Sequence, residues 1–383
     1  MKLSPALSSY LDFLRFFAAL AVMFAHLTQD GFALGVIPLS HFSHEAVVIF
    51  FVMSGLIIHT STLGKQGDWV DYVVARVSRV YSVALPAVIF SAVLSLLIEL
   101  GWPALTKGMG GFREFNVPDI VSALAMANES WGTWRARPNQ LTLNGPYWSM
   151  CYEASYYLLF GLYLFLRGRW RWPVLVGAVV LVGPSVLLLF PIWLLGAWYS
   201  SRRATLPALG QTWALVVFAA SVGFVVAINA SGVDELLKVW LGANVPGFWR
   251  MEASQRVITD HLIAVAVLAH IHAAQSLPAS FQRFFEKHRR MFGAWAGFSF
   301  TLYLFHRPMS EVLGAIVPKE SQSLPLGLAV AAGVLSACWA VSFVTERQLP
   351  FWRSGIARVA VRLGWRPRSR SEVSSLPSVR PLG

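Results

Sequence analysis

The sequence predicts an all-α, polytopic transmembrane helical bundle of about ten spans, with both termini cytoplasmic. Three observations predict it. Hydrophobic residues make up 56% of the 383 and charged residues only 13%, roughly half the charged share of a water-soluble domain. Apolar runs of about 20 residues, enough to cross a hydrocarbon core as a helix, recur along the chain. Lys and Arg concentrate in alternate short connections between those runs, which is the asymmetry of positive-inside topology.

The first span is read at 11–29. Lys2 precedes an apolar run from Phe16 to Ala25, but Arg15 abuts that run and no small-residue cleavage site follows, so it is taken as a retained span rather than a leader. The second is read at 45–63, where Ser54-Gly55 permit close helix packing, and the third at 80–100. Residues 101–145 carry Gly110-Gly111, Pro118, Pro138 and Asn144-Gly145-Pro146 and are expected to form a structured outer loop. The fourth span is read at 146–166. Pro184 and Pro191 divide 172–200 into two short or broken spans meeting at a tight outer turn. The remaining spans are read near 212–230, 256–277, 294–315 and 325–345.

Basic residues follow the even-numbered spans: Lys65, Arg76 and Arg79; Arg167, Arg169 and Arg171; Arg202 and Arg203; Arg283, Lys287, Arg289 and Arg290. The segment 30–44 has no Lys or Arg, as an outer connection should. Arg135 and Arg137 weigh little because the loop that carries them is long. Residues 1–350 form the transmembrane domain and 351–383 a basic cytoplasmic tail. The tail begins amphipathic, with Ile356, Val359, Ala360 and Leu363 against Arg358, Arg362 and Arg366, and is expected to be disordered over 367–383. The net charge of +12 thus belongs with membrane topology and anionic headgroups, not with nucleic acid. Cys151 and Cys338 lie in apolar segments with neither metal spacing nor a disulfide framework.

Ionisable groups inside spans are costly, so each is a functional candidate. Arg15 and His26 are eleven residues apart. That places them on one helical face about 16 Å apart along the axis, with Ala18, Ala19 and Val22 between them. Anchoring at the two interfaces explains the pair as well as function does. Arg76 and Arg79, spaced i, i+3, can grip a phosphate or anchor the topology. Ser149 and Glu153 share a face just inside span four, opened by Trp148, and the carboxylate needs a partner or water there. In Tyr303-Leu304-Phe305-His306-Arg307-Pro308, the proline is expected to kink span nine and open a polar pocket. His59 is a further candidate on span two. His270 and His272 face about 200° apart and do not share a site. His41, His44 and Glu45 sit at the outer start of span two and are open to a plain loop reading. His26, Glu153 and His306 have no ligand spacing within any one helix, so no metal is expected.

Five segments occur in order: Arg15 with His26, Phe50-Phe51-Val52-Met53-Ser54-Gly55, Arg76 with Arg79, Trp148-Ser149 with Glu153, and Tyr303-Leu304 with His306 and Pro308. Together they resemble the acyltransferase-3 family of integral membrane acyltransferases, over Tyr10 to about Glu346. The chain departs from the family pattern at Glu45-Ala46-Val47-Val48, at the late Pro86 and at Ala154-Ser155-Tyr156-Tyr157. The resemblance implies transfer of an acyl group, acetyl foremost, from cytoplasmic acetyl-CoA or another acyl-CoA to a hydroxyl of a surface or lipid-linked carbohydrate, in the inner membrane. On that reading His26, Glu153 and His306 are catalytic, and Arg15, Arg76 and Arg79 hold the donor. Ser54, Trp148, Ser149 and Tyr303 support the site. His26 acts as general base or takes the acyl group itself, Glu153 orients it, and the donor arm runs along the small-residue stripe of span one. Succinyl or N-acyl transfer to another acceptor, or a multi-span transporter, are the rival readings.

Overall fold

A computed structural model describes residues 3–63, 68–131, 140–318 and 323–365. Lys65, Arg135, Arg137, Pro138, Arg366 and the tail 367–383 lie outside the described residues. Those described contain helices and no strand. In chain order the α-helices are α1 (Pro5–Gln29), α2 (Ser43–Leu63), α3 (Trp69–Gly101), α4 (Val117–Leu124), α5 (Trp148–Phe165) and α6 (Arg171–Val182). Next come α7 (Pro184–Leu188), α8 (Phe190–Arg202), α9 (Gln211–Ser231), α10 (Val233–Asn244) and α11 (Val257–Ala274). The chain finishes with α12 (Ala279–Lys287), α13 (Arg289–Ala296), α14 (Ser299–Ile316), α15 (Leu324–Val341) and α16 (Leu349–Arg362).

Seven segments among the described residues are long and apolar enough to cross a membrane: Pro5–Gln29, Ser43–Thr62, Trp69–Gly101, Pro184–Arg202, Gln211–Ser231, Phe248–Ala274 and Leu324–Arg362. The expectation was about ten. The three remaining expected spans are helical, but they do not meet that standard. α6 is too short. α5 carries Glu153 and four tyrosines, and α14 carries His306, Arg307 and Glu311, so both are too polar. These two are the helices that bring polar groups into the bundle. α9 lies at the other extreme. It exposes Trp213, Val216, Val222 and Phe224, a surface that suits lipid and not water.

α2 lies directly along α8, and two glycines permit it. A Cβ on Gly55 would overlap the carbonyl oxygen of Trp193, and one on Gly196 would overlap that of Val52. The close packing expected of Ser54-Gly55 is therefore present, with a reciprocal glycine on α8. α1 packs on α2, α13 and α14. Its small residues Ala18, Ala19 and Val22 are buried in those contacts. α16 is held on the start of α3 by Ala360 against Val70 and Val74, and by Trp365 edge-on to Trp69, ring centroids 5.0 Å apart.

The loop between α3 and α5 closes the opposite end of the bundle. Leu143 donates its N–H to the Gly111 carbonyl (3.0 Å), and the Arg113 N–H donates to Thr142 Oγ1 (3.1 Å). Tyr147 Oη donates to the Ala123 carbonyl (3.0 Å). Asn144 reaches down from this loop onto α14. Pro308 has no N–H for the Leu304 carbonyl, and the Asn144 side chain donates to that oxygen at 2.9 Å. α14 runs through Pro308 as one helical segment, and the bond that the proline cannot give comes from the loop. In the same loop Glu129 is buried, and burial together with Glu252 pushes its carboxyl up to about 7.

Two outcomes follow. Gly196→Val should wedge α2 from α8 and lower stability by roughly 1–3 kcal/mol or more, read as a lower thermal midpoint of the detergent-solubilised protein. For Glu129, the folded state holds the proton more tightly than the unfolded chain does. Its stabilisation is therefore full below pH 4.5 and lost as the pH climbs to about 7. The loss should be on the order of 3 kcal/mol, and Glu129→Gln should flatten the fall in thermal midpoint between pH 5 and pH 7.5.

Candidate functional site

The Arg15–His26 spacing sets the frame. His26 stands near the end of α1 and turns inward, its Nδ1 2.8 Å from Nε2 of the fully buried His306. The rings stack with centroids 5.1 Å apart. His306 Nδ1 lies 2.7 Å from the Leu302 carbonyl, which only accepts. In the neutral pair, that contact decides both tautomers. His306 carries its proton on Nδ1 and accepts at Nε2. His26 must then donate from Nδ1, which leaves its Nε2 lone pair free. One backbone carbonyl on α14 thereby presents a basic nitrogen on α1.

Behind His306, Arg307 Nη1 pairs with Asp30 at 2.6 Å and Nη2 with Glu311 at 3.4 Å. Glu311 also accepts the Gly111 N–H. This chain ties the ends of α1 and α14 to the closing loop.

Glu153 does not orient His26, contrary to the expectation. Its Oε1 accepts from Ser54 Oγ (2.9 Å) and from Tyr157 Oη. Ser54 in turn accepts from Trp193 Nε1 at 3.1 Å. The reason is geometric. Ser149 and Glu153 face α2 and α14 lower in the bundle, where Ser149 Oγ meets Tyr303 Oη at 2.8 Å. The pair His26–His306 and the group Glu153–Ser54–Tyr157 are separate polar islands. Among the described residues no three His, Cys, Asp or Glu side chains gather as a metal site.

A cavity of about 450 Å³ opens at the α16 end. Of the ten expected site residues, Arg15, Ser54, Arg76, Arg79, Ser149, Glu153 and Tyr303 line it. His26, His306 and Trp148 do not; Trp148 packs edge-on against Phe51 and Tyr152. The cavity stops one aromatic layer short of the histidines. Phe50 and Tyr303 form that layer, ring centroids 5.6 Å apart, and the Tyr303 ring lies 6.5 Å from His306. The stripe of Ala18, Ala19 and Val22 is packed rather than open, so α1 contributes only Arg15 to the lining. The wall beside the aromatic layer comes instead from α2, α5 and α14.

The arginines are not equivalent. Arg79 Nη1 pairs with the buried Glu346 at 2.7 Å, and its guanidinium lies over the Phe300 ring at 5.3 Å. Glu346 Oε2 accepts the N–H groups of Phe300 and Thr301 (3.1 and 3.2 Å), so it locks α3 to α14. Arg76 rests between the rings of Tyr72 and Tyr157, 6.0 and 5.8 Å from the centroids, and its Nε is buried with no hydrogen-bond partner. Arg15 makes no hydrogen bond or ion pair with the described residues; its charged neighbours are Arg79, Asp12, Glu346 and Glu153. Of these three arginines of α1 and α3, two are therefore free to meet an anion and the third is already paired.

Against known proteins, the model of an acyltransferase domain family matches residues 8–345. This chain belongs to the acyltransferase-3 family. The chain is similar to the acyltransferase MdmB of Streptomyces mycarofaciens, 26% identical over 191 residues. That alignment covers 46% of each chain, so it spans about half the length of this curated relative. No solved structure matches. With its seven apolar segments among the described residues, this member of the family is a multi-pass membrane protein.

The other candidate histidines are held elsewhere. His59 Nδ1 lies 2.9 Å from Ser200 Oγ on α8. His270 contacts Tyr10 and Ser221, whereas His272 contacts Tyr199, on divergent faces as expected. His44 is not a plain loop residue, since its Nε2 pairs with Asp260 at 2.7 Å. Sequence reasoning missed Tyr157, Trp193, Glu346 and Arg353 as parts of the site. Glu346 had a usable signal, a carboxylate closing an apolar span.

Proposed function

We propose that this acyltransferase moves an acyl group, acetyl foremost, from cytoplasmic acyl-CoA to a hydroxyl of a surface or lipid-linked carbohydrate. The observation that carries the reading is the pair of sites: a basic cavity open at one end, and beyond its aromatic layer an imidazole nitrogen with a free lone pair. With α16 and the Arg-rich connections on the cytoplasmic side of the inner membrane, both termini lie inside and the donor enters there.

Arg15 and Arg76 bind the donor pyrophosphate, with Arg79 fixed beside them by Glu346. From Arg15 to His26 the helix rises about 16 Å, a distance suited to an extended pantetheine arm. The arm follows α2 and α14 and displaces the layer of Phe50 and Tyr303. His26 Nε2 then takes the proton of the acceptor hydroxyl as its oxygen attacks the thioester carbonyl. The carbon–sulfur bond breaks, and the CoA thiolate recovers that proton from His26. His306 holds the His26 tautomer through Nδ1–H, the part a carboxylate plays in other triads. Glu153, Ser54 and Tyr157 shape the inner end of the donor cavity.

His26→Ala should lower transfer by about 10²–10⁴-fold without loss of membrane insertion, read by mass spectrometry of glycan acylation. His306→Ala should lower kcat with little change in donor KM. His306→Gln, whose amide oxygen still accepts, should recover part of that loss. Full activity in His26→Ala would remove the imidazole from the chemistry.

The arginines should separate. Arg76→Ala should raise the acyl-CoA KM by roughly tenfold or more in a folded protein. Arg79→Ala strands the buried Glu346 and should destabilise by about 3–5 kcal/mol, read as thermal midpoint. An unchanged donor KM in Arg76→Ala would make that residue an anchor only.

A further inference from the structure

The cavity mouth carries a cation that the mechanism above does not use. Arg353, on α16, lines the opening together with Asp68 and Asp71 of the α3 start. It also lines the adjoining groove with Val70, Val74 and Ala357. Among the described residues, Arg353 forms no hydrogen bond or ion pair, and it is exposed. Its place is nevertheless fixed. Ala360 on Val70 and Val74 pins the far part of α16, and Glu346 ties the near end to α3 and α14.

Depth along the cavity orders the charges. From Asp68 to Arg79, α3 rises about 16 Å. Arg15, Arg76 and Arg79 are half-buried in the lining, whereas Arg353 is exposed, which puts it at the rim. In acyl-CoA the order from the thioester outward is pantetheine, pyrophosphate, then the ribose with its 3′-phosphate and the adenine. A donor whose pyrophosphate meets the deep arginines brings the 3′-phosphate to the rim. That phosphomonoester carries about −1.5 to −2 charges near neutral pH, and an unpaired guanidinium fork is suited to it. Of the two rim carboxylates, Asp68 is engaged in capping α3, accepting from the N–H groups of Val70 (2.7 Å) and Asp71 (3.0 Å). Asp71 is exposed and repels a phosphate, which confines that phosphate to the α16 side.

We propose that Arg353 recognises the 3′-phosphate of the CoA donor and so selects CoA over carriers that lack this phosphate. The proposal rests on the acyl-CoA reading of the cavity. The test is calorimetric titration of the purified full chain in detergent with CoA and with 3′-dephospho-CoA, for wild type, Arg353→Ala and Arg353→Lys. Wild type should bind CoA roughly tenfold more tightly than 3′-dephospho-CoA. Arg353→Ala should lose that difference by weakening CoA alone, and Arg353→Lys should restore part of it. Equal weakening for both ligands, no change in either, or a wild type that does not discriminate would overturn the assignment to Arg353. A wild type that binds neither ligand would instead overturn the donor reading beneath it.

Discussion

The polarity of α14 is the constraint on which the rest of the structure depends. A helix bearing His306, Arg307, Pro308 and Glu311 cannot sit among apolar helices unless each polar group finds a partner. The partners come from the whole chain. Asp30 at the end of α1 takes Arg307, Gly111 in the closing loop donates to Glu311, and Asn144 supplies the hydrogen bond that Pro308 lacks. At its other end, Glu346 accepts the N–H groups of Phe300 and Thr301. Each of these contacts fixes α14 against a different neighbour. Together they hold Leu302 and His306 where His26 can meet them.

The same accounting separates the basic residues by role. An ion pair to a buried carboxylate, such as Arg79–Glu346, is strongly destabilising to break, yet adds little beyond its own desolvation. Its use is to join α3 to α14 and to set the floor of the cavity. Arg76, cushioned by Tyr72 and Tyr157, keeps a buried Nε without a partner. An unsatisfied buried donor costs about 1–3 kcal/mol, and an anionic ligand would remove that cost. Neighbouring arginines three residues apart thus differ in kind: Arg79 is paired into the architecture and Arg76 is not.

The aromatic pair of Phe50 and Tyr303 lines the charged cavity, while His26 and His306 lie outside its lining. Tyr303 serves both sides, bonded to Ser149 below and ring-adjacent to His306 above.

The positions of all ten expected helical segments were legible in the chain, because apolar runs and prolines act locally. So was the glycine seam of α2, and so were the segments that carry the site. What is not local escaped. Hydropathy cannot show that Glu153 turns to Ser54 rather than to His26, since the two faces are decided by how α5 crosses α2. Nor can spacing show that Ala18, Ala19 and Val22 are covered by neighbours. Glu346 and Arg353 stand some 280 residues from the start of α3, and only packing brings them to it. Sequence alone determined the helical, membrane-embedded class and the chemistry available, because burial and charge are properties of residue types. Tertiary structure alone decided which of those groups meet, because a hydrogen bond needs an atom within about 3 Å, and no linear pattern encodes that distance.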